Sequence, residues 1–180
     1  AGAITQSGTT VLAALNSAND EAPSVATFSG AVDVDTITIG ATATGGSVKF
    51  SSTVAGAATI HGGNASAEDS LMEITATHTG AIILTQGSLG DAGFKTSGST
   101  ALSITGSITV TTDGDGVITA ANTNRTTFAA IGTAANKALT VTVSSGADAL
   151  FGSAVAANTL TITGTATVQA ADNESEVIVM

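Results

Sequence analysis

The sequence predicts an all-β protein built as a parallel β-solenoid with coils of about 22 residues, and three observations carry that prediction. First, a short Phe-led start, Phe28-Ser-Gly-Ala-Val32, returns 22 residues later as Phe50-Ser-Ser-Thr-Val54, with Met72 and Phe94 at the next two steps. A repeat of this size signals stacked supersecondary units that bury one another's apolar faces. Second, β-branched runs follow the starts: Thr36-Ile-Thr-Ile39, Ala57-Ala-Thr-Ile60, Ala81-Ile-Ile-Leu84, Ala101-Leu-Ser-Ile104, Leu139-Thr-Val-Thr-Val143 and Leu160-Thr-Ile162. Such residues suit a pleated, half-buried surface. Third, the apolar share is 43%, yet Phe is the only aromatic and occurs five times. That is thin filling for the wide core of a sandwich, but enough for narrow stacked coils. An antiparallel, jelly-roll-like β-sandwich with strand exchange between subunits is the alternative, since an up-down strand pair also repeats after about 22 residues.

Taken in order, residues 1–26 stand outside the repeat and read as an N-terminal cap or docking arm. Thr9-Thr10 before Val11-Leu-Ala-Ala-Leu15 predicts an N-cap and a short helical turn, and Pro23 marks the boundary with a single β-repeat domain over 27–180. Val32 to Ile39 alternates, but its apolar residues change face midway, which calls for a turn or bulge near Asp35-Thr36. Gly45-Gly46, Gly62-Gly63, Gly87, Gly90 and Gly93 fall at turn-like intervals. The repeat is faintest over 106–127, where a loop or half-unit around Asn122-Thr-Asn-Arg125 would restore the phase before Phe128 and Phe151. The chain closes on Val177-Ile-Val-Met180, a strand that either completes its own sheet or adds to a neighbouring subunit, and these four residues are the candidate assembly element.

The Phe-x-x-x-Val and Leu-Thr-Ile-x-Gly patterns over residues 28–170 resemble the coil repeats of bacterial β-helical surface proteins. These are autotransporter passengers, filamentous-haemagglutinin-like adhesins and repetitive surface-layer proteins. The resemblance implies export, a rod-like scaffold and adhesion or coat formation, without catalytic residues.

Charge narrows the partners. The net charge is −10, with only Lys49, Lys95, Arg125 and Lys137 on the basic side. Neither nucleic acid nor an anionic membrane surface suits this balance, and no apolar run reaches the ~18 residues of a membrane span. Cysteine is absent, which removes disulfides and thiolate metal sites. The start Ala1-Gly-Ala is what cleavage of a signal peptide leaves, so an extracellular or cell-surface location is expected.

Few residues offer chemistry. Thr111 to Asn122 places Asp113, Asp115, Gly116 and Ile118 at positions three, five, six and eight of an EF-hand-like loop, but lacks the first carboxylate and the closing Glu. Asp113 and Asp115 are therefore the candidate metal ligands, calcium the candidate ion, and a Gly-rich β-turn the plainer reading; no organic cofactor is expected. Asp33/Asp35 and Glu68/Asp69/Glu73 read as solvated edge charges rather than a glycosidase pair, because Trp and Tyr platforms for sugar are absent. His61 and His78 read as exposed turn or strand residues. Asn64, Asn124 and Asn173 begin Asn-x-Ser/Thr sequons in predicted loops and are glycosylation candidates. No enzyme is expected. The functional expectation is a secreted structural subunit whose partner is itself, polymerising head to tail into a filament, sheath or surface layer. The alternative is an adhesin or fibre module that recognises a surface glycan or receptor.

Overall fold

The computed structural model describes residues 4–5, 11–14, 25–41, 45–64, 69–169 and 178–179. The short strands β1 (Ile4–Thr5) and β2 (Val11–Ala14) come first, and turn one follows as β3 (Val25–Phe28) and β4 (Val32–Ile39). Turn two is β5 (Ser47–Phe50) and β6 (Val54–His61); turn three is β7 (Ser70–Ile74), β8 (His78–Thr79) and β9 (Ile82–Thr85). Turn four is β10 (Ala92–Thr96), β11 (Leu102–Ile104) and β12 (Ile108–Val110); turn five is β13 (Asp115–Ala120), β14 (Arg125–Phe128) and a bridge at Ile131. Turn six is β15 (Ala138–Val143), β16 (Asp148–Phe151) and the start of β17 (Val155–Ile162). The rest of β17, β18 (Thr165–Val168) and β19 (Ile178–Val179) form a last rung.

Every strand pairing among the described residues is parallel, and strands pair with their counterparts one turn away. The chain is thus a β-solenoid of about six turns with coils of about 23 residues, which excludes the antiparallel sandwich. Each turn lays one strand on each of three faces. Face one carries β3, β5, β7, β10, β13, β15 and the end of β17. Face two carries β1, the start of β4 and β6, β8, β11, β14, β16 and β18, while β2, the end of β4 and β6, β9, β12 and β19 line face three.

Parallel stacking turns each inward position into a row through the core. On face three, Ile37, Ala58, Ile82, Ile108, Ile131 and Val155 follow one another, all at most 1% exposed. Full burial of such a side chain contributes ~1.5–3 kcal/mol. The aromatic row differs from the one the 22-residue count predicts. Phe28 stacks on Phe50, with ring centroids 5.3 Å apart, but Phe50 stacks on Ile74 while Met72 lies beneath Val48. The connection from turn two to turn three is longer, and the step becomes 24 residues, as for Phe50 and Ile74. Phe128 and Phe151 do not resume that row. They stack on face two, 5.6 Å apart, in line with Ile104 and Val168.

The faint stretch 106–127 holds no inserted half-unit. Phe94 pairs with Ile118 at the same 24-residue step, and Asn122 to Asn124 simply turns the chain from β13 into β14. Val11–Ala14 is a strand, not the expected helical turn, because it lies parallel to Thr36–Ile39 and takes up the backbone groups of that edge. A free sheet edge outweighs weak helix propensity. The expected bulge is present: Val34 and Asp35 together oppose Gly56, so β4 changes face between Asp33 and Thr36.

That corner depends on glycine. Gly56 and Gly80 have φ of 133° and 126°, and successive turns approach there so closely that a Cβ on Gly80 would lie 2.4 Å from the Gly56 carbonyl oxygen. Gly106 repeats the crowding one turn on, with 2.0 Å to the Gly80 oxygen. Gly80→Ala is therefore expected to destabilise the fold by about 3 kcal/mol or more, since backbone strain and a clash act together. Gly146→Ala, at φ 78° with open space around it, is expected to cost only about 1 kcal/mol. Urea midpoints at constant slope measure both; equal losses would show that close approach at the corner is not what selects glycine.

Candidate functional site

The last rung is where the core runs out. Leu160 and Ile162 continue the face-one rows of Val141 and Val143, and Val168 continues the face-two row of Phe128 and Phe151. Their partners one turn earlier are at most 1% exposed, whereas Ile162 is 47% exposed and Leu160, Ala166 and Val168 are only partly covered. Among the described residues, β18 and Ala157–Ile162 of β17 have strand neighbours on one side only. The opposite edge of face one is β3, whose outer side likewise has no described neighbour and whose Val25 is 57% exposed. An apolar rung with unpaired backbone groups is a template for strand addition.

Of the predicted assembly residues, Ile178 and Val179 form β19, which lies parallel to Val155 and Ala156 of the same chain. Val177 and Met180 lie outside the described residues, as do Glu68 and Asn173. The sequence singled out the terminal run by its hydrophobicity and missed Leu160, Ile162 and Val168. Counting on by a full coil from Val141, Val143 and Phe151 overshoots them, because the last step shortens to 19 residues on face one and 17 on face two.

The acidic residues are organised by the same stacking. Asp113 sits exposed in the turn before β13, and its Oδ1 accepts a hydrogen bond of 2.9 Å from the Lys137 backbone N–H. Asp115 opens β13 and falls in a column with Asp91 and Asp69, each one coil apart, a relation the sequence shows only once the coil length is known. The Asp91 N–H donates to Asp69 Oδ1 at 2.8 Å. Burial raises the Asp91 pKa, and the like charges of Asp69 and Asp115 raise it further. No cluster of three or more His, Cys, Asp or Glu side chains with metal-binding geometry occurs among the described residues.

Glu73 is the opposite case. Its column neighbours are Lys49 and Lys95, at 2.9 and 3.4 Å, and Ser97 Oγ donates to it at 2.6 Å. Burial alone would raise its pKa, but Ser97 and the two ammonium groups bring it below the ordinary value. It is a paired charge rather than the solvated edge charge the sequence suggested. Two shallow grooves on face two, of about 320 and 310 Å³, are lined by Thr77, Thr79, Ser103 and Arg125 among others and contain no aromatic ring. Arg125 Nε there donates to Asp148 Oδ2 at 3.2 Å. Asn64 and Asn124 are both exposed in turns, where an acceptor must be.

His78 departs furthest from expectation. It is fully buried, in the face-two row between Val54 and Ile104, and neither ring nitrogen has a hydrogen-bond partner among the described residues. Burial lowers its pKa from 6.5 to about 4, an effect the Gly80 backbone opposes only in part. His61, by contrast, is partly exposed at the end of β6.

A histidine neutral in the fold and titratable when unfolded makes stability fall as pH drops from 6.5 towards about 4. The shift corresponds to a loss of about 3 kcal/mol at full effect. Glu73 acts in the same sense below its ordinary range, while Asp91 acts oppositely, its cost being relieved as it takes up a proton. Chemical denaturation between pH 7 and 4 should therefore show an acid-side decline that His78→Leu removes in large part. An unchanged decline in that variant would assign the acid sensitivity elsewhere.

Comparison of the chain with protein-family models, curated proteins and solved structures found no match.

Proposed function

We propose that this chain is a structural subunit that assembles head to tail into an extracellular filament, sheath or surface layer. The observation that carries this reading is the last rung, where Ile162 and Val168 extend core rows to an edge that no described strand covers. Face one ends at its other side in β3, so among the described residues the same sheet presents one free edge of each polarity. Contact between unlike ends of identical subunits is heterologous and propagates rather than closing. The charge distribution favours end-on over lateral contact. In a chain of net charge −10, strand β18 and the exposed end of β17 carry no carboxylate. The bacterial surface proteins that the repeat resembles point to the same kind of role.

Electron microscopy of concentrated protein should show unbranched fibres or sheets. Ile162→Asp combined with Val168→Asp should abolish them by placing charge on the rung, while the β-type circular dichroism spectrum persists. Fibres unchanged in the double variant would refute assembly through this end.

A further inference from the structure

The two ends do not fit together as they stand, and the reason lies in β1 and β2. Seating the last rung of one copy against the first turn of another sets Thr159–Ile162 beside Val25–Phe28. Phe28 then covers Ile162, and Val32 covers Val168, so rows on two faces continue without a break in register. The edge of β4 is already taken, however. Ile4 and Thr5 lie beside Val32 and Asp33, and Val11–Ala14 lie beside Thr36–Ile39. These positions on faces two and three are the ones that β18 and β19 of a second copy would occupy.

We propose that β1–β2 is a displaceable latch, and that its release opens the first turn to the last rung of a second copy of this chain. This rests on the assembly reading above and adds what controls it. The latch pairs through two residues on face two and four on face three, and no described strand lies beside β3. An incoming rung has strands for all three faces, adds pairing to the four residues of β3, and covers Phe28 and Ile162. It therefore forms more than it displaces. Because β1 and β2 are tethered, they hold the site at high effective concentration, and a second copy displaces them only when the protein is concentrated. The consequence is a soluble monomer when dilute and a polymer at the site of accumulation.

The register supplies the test. Ala13 and Thr38 are partners across β2 and β4, at a separation between neighbouring strands that a disulfide spans, and the chain has no cysteine of its own. The full-length Ala13→Cys/Thr38→Cys variant is compared, oxidised and reduced, with wild type by sedimentation and electron microscopy over a range of concentrations. Thr59→Cys/Ile83→Cys, which ties turns two and three of one copy together away from both ends, controls for the crosslink. Loss of fibres only in the oxidised latch variant is the expected result. Fibres in that variant at the wild-type concentration would overturn the latch while leaving head-to-tail assembly standing. Absence of fibres in wild type and in every variant would overturn both.

Discussion

Parallel pairing of each coil with the next is the constraint on which the rest of this structure depends. Once the strands of one turn lie in register on those of the turn before, every side chain has its column neighbours chosen for it. Inward columns are then mostly apolar, which is why Ile82, Ile108 and Ile131 recur and why Phe128 stacks on Phe151. Corners must admit backbone against backbone, and Gly56, Gly80 and Gly106 form a column for that reason. Small residues elsewhere follow from the narrowness of the interior.

The same constraint acts on polar groups, with opposite results at different columns. Glu73 between Lys49 and Lys95 is a column of alternating sign, and its charge is stabilised. Asp69, Asp91 and Asp115 make a column of one sign, in which Asp91 holds its proton more readily than an isolated carboxyl. His78 is the one titratable side chain in an inward column of the described residues, and it tolerates the position only as a neutral ring. A turn added to either end would meet the same demand for an apolar inward column, which links the packing rule to assembly.

The parallel solenoid was legible in the repeat between segments taken with the few large core residues, and the bulge at Asp35 in a change of face within one segment. What the sequence could not show was the exact step between turns. The count of 22 residues from Phe50 reaches Met72, whereas the true neighbour is Ile74, because loop length varies while strand register does not. That small error moved Phe128 and Phe151 to the wrong face. His78 was misread for a related reason: a polar residue beside Thr79 and Gly80 looks like a turn, and only the column between Val54 and Ile104 reveals it as core. The open rung at Ile162 was hidden because exposure at the end of a stack depends on which strands lie beyond it. The strand at Val11–Ala14 was missed because its stability comes from an edge provided by distant residues.

The register between turns two and three is the most direct measure of the account. Lys49 lies opposite Glu73, and a 22-residue step would place it opposite Leu71 instead. All three side chains lie on the outer side of face one, so cysteines there leave the core untouched. Under mild oxidation, Lys49→Cys/Glu73→Cys should form an intramolecular disulfide rapidly and completely, while Lys49→Cys/Leu71→Cys should not. Preferential crosslinking of the Leu71 pair, or of neither, would contradict the stacked columns from which the fold, the buried histidine and the open rung have all been derived.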